Sequence, residues 1–172
     1  MHRCLVANRG EIAVRIIRAC RELGIETVAV YAVGDEQSLH VSLADQAVCI
    51  GEANALDSYL NQDRIISAAQ ITESTAIHPG YGFLSESPSF ADKVEQNGLY
   101  FIGPTKETME LMGDKITARQ TVDAAKVPII PGSKGAVESL SEVETIASDI
   151  GYPLVLKAAS GGGGKGIRIV KS

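Results

Sequence analysis

Short apolar runs alternate with segments whose apolar residues recur every three or four positions, and this alternation fills the first hundred residues. "RCLVA" (Arg3 to Ala7) is a continuous apolar run of the kind a strand buried on both faces requires. In "NRGEIAVRIIRACRELG" the residues Ile12, Ala13, Ile16, Ile17, Cys20 and Leu23 fall on one helical face, and Gly24 supplies the stop. "IETVAVYA" (Ile25 to Ala32) is β-branched and strand-like. A short helix near Ser38 to Ala44 and a strand near Ala47 to Ile50 follow. The spacing then predicts a helix in "NQDRIISAAQIT", a strand at Thr75 to His78, and a helix opened by Ser87 as N-cap with Pro88 in its first turn. "LYFI" (Leu99 to Ile102) is the last strand of the series. Such alternation predicts an α/β fold, a Rossmann-like parallel sheet with helices on both faces. "ANRGE" (Ala7 to Glu11) and "HPGYGFLSE" (His78 to Glu86) both follow strand ends, so Asn8 to Gly10 and His78 to Gly82 are expected on the same sheet edge, where such sheets bind ligands.

Beyond "GPT" the pattern changes. Helices are expected at about 106–112 and 114–126, then an extended connector, Val127 to Gly132. Ser141 with Glu144 reads as a capping box for a helix ending at Gly151. A domain boundary is expected near 104–130, with residues 1–113 and 114–172 as the two parts. The second part ends in "YPLVLKAASGGGGKGIRIVK". Its glycines are not a P-loop, because Lys165 is followed by Gly166 and Ala159 stands where the first glycine belongs. They match G-x-G-x-x-G literally, but "IRIV" follows where a dinucleotide fold needs a helix. A strand–glycine loop–strand hairpin is the better reading. Bare backbone N–H groups in such a loop can approach an anion closely, and Lys157 and Lys165 add positive charge. The alternative is a plain flexible surface hairpin.

Composition narrows the function. A net charge of −5 argues against a general nucleic-acid or anionic-membrane binder, and no signal or membrane span is evident. Cys4, Cys20 and Cys49 lack metal-type spacing and are expected to be reduced core residues of a cytosolic protein. His2, His40 and His78 are isolated, so no histidine metal site is expected, and no Ser-His-Asp or G-x-S-x-G pattern occurs. The turn "HPGYG" has an alternative reading as a Pro-Gly turn with packed aromatics. Arg18 and Glu22 read as an i,i+4 ion pair on a solvated helix face.

"VANRGEIAVRIIRAC", "AIHPGYGFLSE", "FIGP", "LMGDK", "VPIIPG" and "YPLVLKAASGGGGKGIRIV" resemble, in that order and over the whole chain, the opening of biotin carboxylase, a family of the ATP-grasp superfamily. The nearest likeness is to the separate subunit of bacterial acetyl-CoA carboxylase, which serves fatty acid synthesis. The same region opens pyruvate and propionyl-CoA carboxylases, and this stretch separates them poorly. The resemblance implies a ligase that uses MgATP and bicarbonate to carboxylate biotin on a biotin carboxyl carrier protein, with carboxyltransferase subunits as further partners, a homodimeric parent and a cytoplasmic location. Carried over by position, it assigns Lys115, Lys157, Gly163 and Gly164 to ATP, Tyr81 and Gly82 to the biotin pocket, and Arg18 and Glu22 to the dimer interface.

The family's chains are more than twice as long. The present chain therefore resembles an N-terminal fragment, expected to be inactive alone, with the carboxylates that hold magnesium and the general base beyond Ser172. No catalytic residue and no metal ligand is assigned. Two other readings stay open: another ATP-grasp ligase, which the "HPGYGFLSE" loop disfavours, and a non-catalytic interaction module.

Overall fold

A computed structural model of the chain describes residues 2–113, 115–133, 135–158 and 166–172, which fall into two compact units, Met1–Glu110 and Leu111–Ser172. In the first unit β1 (Arg3–Val6), α1 (Gly10–Glu22), β2 (Glu26–Ala32), α2 (Leu39–Leu43), β3 (Gln46–Gly51), α3 (Gln62–Ile71), β4 (Ala76–His78), α4 (Pro88–Gln96) and β5 (Tyr100–Phe101) follow in order. The strands form one parallel sheet, ordered β3-β2-β1-β4-β5.

The register explains the continuous apolar run in β1. Leu5 pairs with Val28 on one side and Ile77 on the other, and its neighbours Cys4 and Val6 pair just as centrally. Successive side chains point to opposite faces. Leu5, Val28, Val30 and Ile77 pack against Ile65, Ala69, Phe90 and Val94 of α3 and α4. Cys4, Val6 and Ala29 pack against Ala13, Ile16, Ile17 and Cys20 of α1. Both faces are therefore covered, and β1 has no polar side to present. The caps agree with the sequence: the Ser87 hydroxyl accepts from the Phe90 amide at 3.3 Å with Pro88 in the first turn.

The sheet grows outward in one direction through β2 and β3 and in the other through β4 and β5. The strand order therefore switches between β1 and β4, and the loops leaving those two strands lie side by side.

After α5 (Lys106–Gly113), the second unit holds α6 (Lys115–Ala124) and α7 (Leu140–Ile150), then β6 (Leu154–Lys157) and β7 (Ile167–Val170). These two strands are antiparallel, with Lys157 opposite Ile167, and the Ala158 amide donates to the Gly166 carbonyl at 3.0 Å. Two antiparallel strands thus flank the glycine run. Gly163, Gly164 and Lys165 themselves lie outside the described residues.

Two expectations are corrected. The N-cap of α7 is Ser139 rather than Ser141: its hydroxyl accepts from the Glu142 amide at 3.3 Å, and its carbonyl accepts from the Val143 amide at 3.2 Å. "SLSEVE" contains the S-x-x-E spacing twice, and the earlier copy gives the longer helix. Cys4 and Cys20 are buried, but Cys49 is exposed, because β3 is an edge strand and Cys49 alternates away from the buried Ile50.

Ile77→Ala is expected to lower unfolding stability by about 2–5 kcal/mol, because it opens a cavity at the centre of the sheet. Cys49→Ser should stay within about 0.5 kcal/mol. Urea unfolding followed by circular dichroism checks both, and comparable losses would contradict this placement of the core.

Candidate functional site

The site is built where the β1–α1 and β4–α4 loops meet. The Ala7 amide donates to the His78 carbonyl at 2.9 Å, extending the ladder by one step. Asn8 comes next and is buried, 3% exposed. Its Nδ2 donates to the Pro79 carbonyl at 2.7 Å and to the Tyr81 carbonyl at 2.8 Å, while its Oδ1 accepts from the Arg9 amide at 2.9 Å. A carboxamide has two donor hydrogens beside its acceptor, and this geometry uses all of them.

Gly80 fits beneath that amide. Its φ is +67°, and a Cβ there would stand 2.9 Å from Asn8 Nδ2 and 3.0 Å from Ile12 Cγ1. The Gly80 amide donates to His78 Nδ1 at 3.0 Å. Burial pushes the His78 pKa below the ordinary imidazole value, so its Nδ1 is free to accept. Tyr81 is exposed, and its hydroxyl donates to the Glu11 carboxylate in the first turn of α1. That bond holds Glu11 below the usual carboxylate range and raises the Tyr81 phenol.

A second set of contacts surrounds Arg9. Its guanidinium carbon lies 5.1 Å from the Tyr59 ring centroid and 5.7 Å from that of Phe83, and its Nη1 is 3.1 Å from Asp35 Oδ2. The Tyr59 hydroxyl donates to the same oxygen at 2.7 Å and accepts from the Ala32 amide at 3.1 Å. Burial pushes Asp35 up, but the bonds from Tyr59 and Arg9 outweigh it and leave the carboxyl below its ordinary value.

These loops enclose an open concavity of 460 Å³ lined by Arg9, Glu11, Asp35, Ser38, Tyr81 and Gly82, among others. Tyr81 and Gly82 thus share one pocket with the β1–α1 loop. A larger groove, 850 Å³, runs along the outer side of α1 past Arg15, Arg18, Glu22 and Leu39. Arg18 and Glu22 both line it, but they are not among the ion pairs of the described residues. An exposed i,i+4 pair is worth only a few tenths of a kcal/mol, about 0.3–0.5, and arginine preceding glutamate is the weaker order.

Lys157 is exposed on β6, and Lys115 is the first residue of α6. The sequence reading overlooked Asp35 and Tyr59. Asp35 had a signal, since "VGDEQ" follows β2 at the same sheet edge. A tyrosine in "LDSYLNQ" had none. Among the described residues no group of three or more His, Cys, Asp or Glu could hold a metal ion, and no helix is long and apolar enough to cross a membrane.

Residues 1–109 match the family described as biotin carboxylase, N-terminal domain. The chain belongs to the biotin carboxylase family. Residues 114–172 match the carbamoyl-phosphate synthase L chain, ATP binding domain. Biotin carboxylase 1 of Bacillus subtilis is 55% identical over 168 residues, 98% of this chain and 37% of the relative. The Campylobacter jejuni biotin carboxylase in complex with β-γ-ATP superposes with a TM-score of 0.89 at 47% identity, covering 99% of this chain and 38% of that one. The biotin carboxylase domain dimer of Hydrogenobacter thermophilus 2-oxoglutarate carboxylase, in complex with MgADP, ADP and bicarbonate, gives a TM-score of 0.85 at 51% identity, covering 98% and 37%. The chain therefore spans well under half the length of these biotin carboxylase relatives.

Asn8→Ala is expected to cost about 2–3 kcal/mol, because it strands two loop carbonyls as well as removing their donor. Asn8→Asp tests the sign. A carboxylate facing two carbonyls has its folded pKa raised, so the variant should be least impaired below about pH 4, the ordinary aspartate value, and should lose stability as pH rises through the folded pKa. Urea unfolding from pH 3 to 8 checks this, and a variant that gains stability relative to wild type as pH rises would contradict the assigned bonds.

Proposed function

We propose that the chain is the N-terminal part of a biotin carboxylase that uses MgATP and bicarbonate to carboxylate biotin on a carrier protein. The observation that carries this reading is the joining of the "HPGYG" loop to the "NRGE" loop at the switch point, in a chain matching the family over residues 1–109. Within it, residues 1–113 form the biotin-side domain and residues 114–172 begin the ATP-grasp domain.

Tyr81 and Gly82 line the biotin pocket. The Tyr81 ring is exposed, and its hydroxyl is oriented by Glu11. The β6–β7 hairpin is the lid over the nucleotide. Lys157, Lys115, Gly163 and Gly164 serve the phosphates, the lysines by charge and the glycines by bare amides. Lys157 fits this role because it is an exposed cation directly at the hairpin's loop end. Magnesium would neutralise phosphate charge, and no residue of this chain is assigned to hold it. Lid closure excludes water from the activated bicarbonate.

Arg18 and Glu22, on the α1 groove, contribute to a homodimer. The dimeric Hydrogenobacter relative supports a dimer, and the two residues share one surface groove. A biotin carboxyl carrier protein and carboxyltransferase subunits are the partners, and the cytoplasm is the location. Bacterial acetyl-CoA carboxylase, hence fatty acid synthesis, is the preferred setting. A keto acid as final acceptor is the second reading, favoured by the Hydrogenobacter relative, a domain of a 2-oxoglutarate carboxylase.

In the full-length protein carrying this chain, Lys157→Ala should reduce kcat/KM for ATP roughly ten- to hundredfold, the worth of a charged hydrogen bond of about 1.5–3 kcal/mol. The 172-residue chain alone should show no biotin-dependent ATP turnover. Steady-state kinetics with free biotin measures both. An unchanged kcat/KM in a folded variant refutes the Lys157 assignment, and no biotin dependence in the full-length protein refutes the function.

A further inference from the structure

We infer that Asp35 is a positioning residue for the Tyr81–Gly82 turn, acting through Arg9 and Phe83. The inference rests on the reading of that turn as the biotin side of the site.

Four side chains from separate loops close a ring. Asp35 follows β2, Arg9 follows β1, Tyr59 precedes α3 and Phe83 follows β4. The ring is anchored at Tyr59, which is fully buried and bonded through its hydroxyl to the backbone of Ala32 at the end of β2. That hydroxyl donates at 2.7 Å to Asp35 Oδ2, and the same oxygen takes Arg9 Nη1 at 3.1 Å. One carboxylate oxygen therefore ties a long-chained cation to a buried phenol. The guanidinium is held over Tyr59 and Phe83 together, and those two rings stack at 5.1 Å with only 12° between their planes. Stacking alone would pack Phe83. The ion pair adds a direction to Arg9 that its long side chain would not otherwise keep.

Phe83 needs this support. It is not a glycine, yet its φ is +42°, a backbone region that bulky residues occupy only where their surroundings hold them. It directly follows Gly82, so its backbone angle sets how the turn leaves the pocket. The turn is then fixed twice. Asn8 holds its entry through the carbonyls of Pro79 and Tyr81, and the Asp35–Arg9–Phe83 chain holds its exit. The pocket's shape between Tyr81 and Arg9 depends on both.

The test uses the full-length protein with Asp35→Ala, the milder Asp35→Asn, Arg9→Met, the double variant Arg9→Met/Asp35→Ala, and Tyr81→Ala as reference. It reads the kinetics of free biotin and ATP together with amide exchange of residues 80–84. Asp35→Ala should raise KM for biotin about tenfold, with kcat and KM for ATP within about twofold, as expected for a misplaced binding group. Asp35→Asn, which keeps the acceptor for Tyr59, should fall between, and the double variant should be no worse than the more impaired single one. Exchange at 80–84 should speed up while β1 and β4 keep their rates.

Unchanged exchange at 80–84 in Asp35→Ala overturns the inference. So does a biotin KM unchanged by Asp35→Ala but raised by Tyr81→Ala, which would leave the biotin reading standing. Equal losses for biotin and ATP, or additive Arg9 and Asp35 effects, overturn it as well. If Tyr81→Ala leaves the biotin KM unchanged, the biotin reading itself fails and the role of Asp35 in biotin binding falls with it.

Discussion

The buried carboxamide of Asn8 is the contact on which the site depends. A parallel sheet delivers strand ends to one edge, but it does not by itself join the loops that leave them. Here one side chain spends both donor hydrogens on the carbonyls of the neighbouring loop and its acceptor on the Arg9 amide that follows it. Loop carbonyls buried at a sheet edge must find donors, and an unmet one costs about 1–3 kcal/mol. The Pro79 and Tyr81 carbonyls therefore require Asn8, and Asn8 in turn requires the glycine beneath it. Tyr81 reaches solvent because its backbone is tied down on either side.

The same economy of rigid backbone and exposed side chain distinguishes the two halves of the chain. In the first unit both sheet faces are covered and the central strand is buried but for the half-buried Arg3. In the second, β6 and β7 form a two-stranded ribbon with Val155, Leu156, Ile167 and Ile169 exposed. A ribbon of two strands is marginal in water, which suits a lid that must open and close but not a core. The chemistry proposed for each half follows that contrast: biotin is positioned by fixed loops, and nucleotide is covered by a movable hairpin.

Much of this was legible in the sequence because the signals were periodic or punctuated. β1 announced itself as "RCLVA", α1 by the spacing of Ile12, Ile16, Ile17 and Cys20, and α4 by Ser-Pro at its start. Shared placement of the "ANRGE" and "HPGYG" loops followed from topology alone. Less was legible where the signal was doubled or distant. "SLSEVE" offers two equivalent caps for α7, and local sequence does not choose between them. Cys49 is apolar in type but lies on an edge strand, and edge position depends on the order of the whole sheet. The Asp35–Tyr59 bond joins residues 24 apart in unrelated loops, which no local pattern encodes. Arg18 and Glu22 had the spacing of an ion pair without the energy to enforce one.

The most direct measurement is amide exchange on the full-length protein, comparing residues 79–84 and 154–170 with and without each substrate. Biotin with bicarbonate should slow exchange at 79–84 and leave the hairpin unaffected, while a non-hydrolysable ATP analogue with magnesium should slow 154–170 and leave 79–84 unaffected. Protection of 79–84 by nucleotide alone, or by neither substrate, would contradict the division of the chain into a biotin side and an ATP side.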